Sequence, residues 1–195
     1  NILHGTDSLF YSFQSGLGIN FYALSSYYLG SFFSPLVYFF NAQSMPDAVY
    51  LITLLKFGAI GLSTYISLHG MFSKIPRSLV LTLSTSFALM SFAISQIEIK
   101  TWLDVFILAP LILYGFKKLI YNEGEILYFI SLTSLFIQNY YFGFMMSIFL
   151  ILWYLTQLSW NIKGIGKRFF HFVIVSLLSV ITSLVMLYPT FLDLR

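Results

Sequence analysis

Cysteine is absent from all 195 residues, which excludes disulfides and thiolate metal sites and leaves the redox compartment unreadable. Charge is almost as scarce: Lys, Arg, Asp and Glu make up 9% of the chain, against about a quarter in an ordinary soluble domain. So few ionic groups cannot cover a water-facing exterior, so much of the surface faces lipid. No Met, basic n-region or small-residue cleavage site opens the chain at Asn1, and it is expected to be an internal stretch of a longer protein without a targeting signal. Soluble-enzyme motifs are missing too. KGIGKR at 163–168 lacks the spacing and the Ser/Thr of a phosphate loop, and GLG at 16–18 is a lone glycine pair. No His, Asp or Glu pair stands at ligand spacing and no Ser/His/Asp set is visible, so neither a metal site nor that triad is expected. Inverted repeats are not apparent, and no nucleic-acid partner is expected.

What the chain does have is apolar and aromatic: 58% hydrophobic residues, 20% Phe, Trp and Tyr, and a mean hydropathy of +0.85. The charges divide it into runs at Asp47–Phe72 (broken only by Lys56), Ser78–Ile97, Trp102–Phe116, Ile126–Ile137, Phe142–Leu158 and Phe169–Tyr188. A crossing needs about 20 apolar residues at a rise of about 1.5 Å each, so several runs qualify and three look short. Basic residues fall in alternate connections: Lys74 and Arg77, then Lys117 and Lys118, then Lys163, Lys167 and Arg168. The positive-inside bias makes those connections cytoplasmic and the others, around Glu98, the QNYYFG turn and Asp193, outward. The expected fold is all-α, a polytopic transmembrane helix bundle of about six spans. Residues 1–46 are expected to form an extracytoplasmic loop with interfacial aromatic helices within 20–40, residues 47–189 the six-span bundle, and residues 190–195 the start of an outer loop.

Polar residues inside these runs are the candidates for function. Residues 126–162 are too long for one crossing and too short for two with a turn, so the hairpin is expected to turn below the outer surface. Asn139 lies fourteen residues beyond Glu125, about 21 Å of helix, and Asp104 thirteen before Lys117, about 20 Å. Lys56 falls in the same outer third. Polar groups at that depth are tolerated in buried or watery surroundings, which suggests a pocket open to the outside, floored by Asp104, Lys56 and the turn Gln138, Asn139, Tyr140 and Tyr141.

Each residue also has a plainer explanation. Thr101 and Asp104 fit a helix-capping pattern, Asn139 and Gly143 fit a turn, and the tyrosines fit interfacial anchors. Lys56 is costlier to ignore, and function or pairing with Asp104 explains it better than snorkelling. His69 and His171 are expected near the cytoplasmic interface, and His4 has no support.

Four stretches in order carry a resemblance: SLFYSFQSGLGINFYALSSYYLGSFFSPL, LLKFGAIGL, WLDVFILAPLILYGFKKLI and QNYYFGFMMSIFLILWYL. Together they resemble the YfhO family of bacterial multi-pass membrane proteins, which looks like the GT-C class of glycosyltransferases. The resemblance implies a GT-C-like fragment in the bacterial cell membrane. It implies a membrane glycosyltransferase moving a sugar from a polyprenyl-phosphate donor to a cell-envelope polymer, such as lipoteichoic acid, on the outer face. Its partners would be the lipid bilayer, the lipid-linked sugar and the polymer acceptor. No cofactor is evident, metal dependence is open, and the catalytic acid is expected upstream of Asn1 rather than at Asp7. Lys56 is then the candidate for the lipid phosphate, and Asp104, Gln138, Asn139, Tyr140 and Tyr141 for the sugar. The alternatives are a lipid or polymer transporter or flippase, disfavoured by apolar cytoplasmic halves, and a non-catalytic accessory membrane subunit.

Overall fold

The computed structural model describes residues 30–159 and 165–193, with side chains for 30–157 and 168–188. Among the described residues, seven helices follow two short 3-10 turns at Ser34–Phe39 and Ala42–Ser44: α1 (Met45–Met71), α2 (Arg77–Ala88), α3 (Ser91–Ser95), α4 (Lys100–Tyr121), α5 (Ile126–Gln138), α6 (Tyr140–Ser159) and α7 (Ile165–Asp193). No strand occurs among the described residues. The chain folds as an all-α helical bundle. Of the 20–40 segment expected to be helical, residues 20–29 lie outside the described part, and 34–39 form a 3-10 turn with Tyr38 and Phe39 exposed.

Local chemistry sets the boundaries. Proline in the first turn of α1 gives up an N–H that would have no helical partner there, and Asp47 complements the positive end of the helix dipole. Pro76 stands just before α2 in an extended conformation. The run expected as one span from Ser78 to Ile97 is broken, because Met90 is extended (ψ 145°) and separates α2 from α3. At the end of α4, Asn122 takes the left-handed conformation (φ 60°), which its short polar side chain tolerates better than most residues. Between α5 and α6 one residue turns the chain: Asn139 is extended (φ −155°, ψ 92°), its carbonyl accepts the Gly143 N–H at 3.0 Å, and its Oδ1 accepts the Phe142 N–H at 3.2 Å.

Contacts between helices fix their directions. Lys56 meets Asp104, and Lys117 hydrogen-bonds the Met71 carbonyl, so α1 and α4 run parallel. Gly61 packs on Ala88 while Tyr65 lines one groove with Leu81, making α2 antiparallel to α1. Tyr128 begins α5 against Phe116 near the end of α4. Trp102 stacks edge-on against Phe142 and Phe116 lies 5.1 Å from Trp153, so α6 returns parallel to α4. Tyr154 stacks on Phe172, and Ser147 shares a pocket with Ser176 and Val180, so α7 runs back again. The described residues thus make six passes of alternating direction, with α2 and α3 sharing one.

Among the described residues, four helical stretches are long and apolar enough to cross a membrane: Ala42–Met71, Arg77–Ser95, Tyr140–Gln157 and Arg168–Tyr188. Ile126–Gln138 is apolar but short, and α4 has the length, 22 residues, but carries Asp104, Lys117 and Lys118. Both sit at the centre of the bundle, where α4 packs against α1 and α5, and α5 against α7. Central helices tolerate short length and charge because protein rather than lipid covers most of their surface. The core is aromatic: Phe116 has Tyr128, Trp153, Tyr154 and Phe172 within 6.4 Å of its ring centre. Outward faces carry Leu54, Leu62, Phe144, Leu152, Phe170 and Val185, all exposed as lipid-facing side chains should be.

The basic connections gather at one end. There two cations close the C-termini of the helices that arrive: Lys117 donates to the Met71 carbonyl and Arg168 donates to the Ile120 carbonyl at 2.6 Å. Unpaired carbonyls and the negative end of each helix dipole favour a cation at that position. His171 and Glu125 add an exposed pair at 2.6 Å, and His69 stacks on Tyr65.

Candidate functional site

Away from the basic end, α1 and α4 face each other through opposite charges. The Lys56 ammonium donates to Asp104 Oδ2 at 2.8 Å and to the Lys100 carbonyl at 2.8 Å, and it lies 5.8 Å from the centre of the Phe33 ring. Both residues are almost wholly buried, at 1% and 2% exposure. An ion taken out of water costs several kcal/mol, and here it is offset by the partner charge, a carbonyl and a ring face. Ser31 supplies a further hydroxyl hydrogen bond to the Asp104 carboxylate.

The capping explanation of Asp104 does not hold. The residue preceding α4 is Ile99, which makes no side-chain cap, so Thr101 sits inside the helix and Asp104 spends its carboxylate on Lys56. The expected open pocket is also different in the structure: the pair is sealed, with Ser31 and Phe33 over it. Neighbouring Gly30 lies against the backbone of Gln138, where a Cβ would come within 3.3 Å of the Gln138 Cα. Gly30 and Ser31 therefore join the end of α5 to the ion pair. Gln138 is 2% exposed, and its Oε1 has no hydrogen-bond partner among the described residues; Thr133 Oγ1, earlier in the same helix, has none either.

Of the residues singled out from the sequence, Lys56 and Asp104 are in contact and Gln138 adjoins them through Gly30. Asn139 is committed to the turn that it makes. Tyr140 is half-buried, and Tyr141 is 58% exposed on the outside of the bundle, edge-on to Phe142. Sequence reasoning missed Ser31, Phe33 and the Lys100 carbonyl, because nothing in the spacing of a loop residue signals a partner 73 positions away in the chain. It also missed the face of α1 below Lys56. Ser63, Thr64 and Ser67 are buried there, and the Thr64 and Ser67 hydroxyls lack partners among the described residues. Their spacing of seven, eight and eleven from Lys56 is the helical period and was legible in principle. No cluster of His, Asp and Glu suited to a metal ion occurs among the described residues.

Six alternating helical passes, lipid-facing outer surfaces and a buried ion pair define a polytopic α-helical membrane protein. The chain belongs to the family described as bacterial membrane protein YfhO, whose model matches residues 1–195. No curated protein matches it, and no solved structure does.

Proposed function

We propose that this chain is part of a GT-C type membrane glycosyltransferase that moves a sugar from a polyprenyl-phosphate donor to a cell-envelope polymer, such as lipoteichoic acid, on the outer face. The observation that carries the reading is the buried Lys56–Asp104 pair at the end opposite the basic connections, in a chain of this family. A bundle held together by apolar packing gains little from an intramembrane ion pair, and such pairs mark functional sites by default. By the positive-inside bias that end faces outward, where a lipid-linked sugar would be met.

In this reading the acceptor hydroxyl attacks the anomeric carbon, the bond from that carbon to the phosphate oxygen breaks, and polyprenyl phosphate leaves with the electron pair. A carboxylate outside the assigned residues takes the hydroxyl proton as general base. Lys56 stabilises the charge developing on the leaving phosphate. Asp104, Gln138 and Tyr140 contribute to the sugar side, with the Gln138 Oε1 as an available acceptor for a sugar hydroxyl, while Asn139 shapes the turn behind them and Tyr141, on the outside of the bundle, takes no part. Donor entry requires Ser31 and Phe33 to lift, after which the phosphate shares the ammonium with Asp104.

Lys56→Met and Asp104→Asn in the intact protein, compared at equal protein levels, should each lower glycosylation of the wall polymer. Unchanged glycosylation in both overturns the site assignment. The charge swap Lys56→Asp with Asp104→Lys separates roles: a purely structural pair would recover activity, whereas a phosphate site would not.

One observation favours a second reading, transport of a lipid or polymer. Ser63, Thr64 and Ser67 extend the polar face of α1 from Lys56 toward the basic end, contrary to the apolar halves expected from the sequence. Reactivity of a cysteine at position 67 toward a membrane-impermeant thiol reagent would support a through-path, and its protection would count against one.

A further inference from the structure

We propose that the cleft between α1, α4 and α6 at the basic end binds one acidic phospholipid, with its phosphate on Lys117 and an acyl chain along α4. The cleft has a volume of about 450 Å³ and lies between the end of α1, the second half of α4 and α6. Its lining is divided as an amphipathic ligand requires. Leu113, Phe72 and Trp153 form apolar walls, while Lys117, Tyr121 and Gln157 bring an ammonium, a phenol and an amide.

Charge identifies the occupant. No carboxylate lines the cleft, and the ion pairs among the described residues are Lys56–Asp104 and His171–Glu125, so Lys117 has no acidic partner there. Its ammonium uses one donor on the Met71 carbonyl and lies 5.6 Å from the Phe72 ring centre. An ammonium has three donors, so two remain for a phosphate oxygen. Capping α1 explains why Lys117 is at that place; it does not explain a cleft beside it lined by an amide and a phenol. Basic pockets between transmembrane helices on the cytoplasmic side suit anionic headgroups, and this end carries Lys74, Arg77, Lys118 and Arg168 as well. The cleft is remote from the Lys56 site: Lys117 lies thirteen residues along α4 from Asp104, about 20 Å of helix.

The test is native mass spectrometry of the intact protein, exchanged into detergent with phosphatidylglycerol or phosphatidylcholine. One retained phosphatidylglycerol is expected, with phosphatidylcholine retained more weakly. Lys117→Gln should weaken phosphatidylglycerol retention about fivefold, the factor one lysine near an anionic headgroup is worth. Lys117→Arg should preserve it. Leu113→Trp fills the apolar part without changing charge and should also reduce retention, which keeps the test decisive if loss of the α1 cap by Lys117→Gln disturbs folding. Equal retention of the two lipids, or retention unaffected by both Lys117→Gln and Leu113→Trp, overturns the assignment.

Discussion

The ion pair between α1 and α4 makes a quantitative prediction. At 2.8 Å, and with an effective dielectric of about 20, the attraction between Lys56 and Asp104 is about 6 kcal/mol before desolvation. Desolvation of two ions offsets most of that, so the intact pair contributes little net stability. Removing one partner is another matter, since the remaining charge stays buried at 1–3% side-chain exposure. Lys56→Met leaves the Asp104 carboxylate with the Ser31 hydroxyl, and Asp104→Leu leaves the ammonium with the Lys100 carbonyl and the Phe33 ring. Each single change should cost about 3–5 kcal/mol. Lys56→Met with Asp104→Leu should return to within about 1 kcal/mol of the parent, because two apolar side chains of similar size then meet in the seam. Unfolding in mixed micelles by titrated dodecyl sulfate, followed by far-ultraviolet circular dichroism, measures all four corners of the cycle. Costs of the two singles that add to within about 0.5 kcal/mol would refute coupling through a sealed pair.

Other changes test the packing and the topology. Gly115→Ala would place its Cβ 2.5 Å from the Tyr128 backbone nitrogen, so α5 must move; a cost of about 1–3 kcal/mol is expected in the same unfolding assay. Tyr128→Phe removes the 2.8 Å hydrogen bond to Ser176 between α5 and α7 and should cost about 1 kcal/mol. Asn139→Ala removes the side-chain bond to the Phe142 N–H at the start of α6 and should cost about 1 kcal/mol, read as a lower midpoint in the same titration. Residues 1–195 contain no cysteine, so a single cysteine introduced among them is compared with the unaltered protein as its background control. In intact cells a membrane-impermeant thiol reagent should label position 98, leave 104 protected, and reach 74 only after permeabilisation; labelling of 74 in intact cells would reverse the assigned orientation.

Composition determined much of this protein by itself. With 9% charge, apolar runs that end at basic clusters, and a backbone that must satisfy its own hydrogen bonds in lipid, only a bundle of helices was open to it. Helix rise alone put Lys56, Asp104 and the Gln138–Asn139 turn at one level, away from the basic end, because a helix converts residue count directly into depth. Azimuth and closure were decided elsewhere. Whether Asp104 capped its own helix or paired with Lys56 depended on how α1 and α4 are rotated against each other, and that rotation is set by packing such as Gly70 against Tyr114. Likewise the extended Met90 that splits one apolar run, and the Gly30–Phe33 segment that closes over the ion pair, depend on contacts between residues far apart in the chain. Depth is a one-dimensional property that the order of residues carries; which side chains meet at that depth is a property of three-dimensional packing alone.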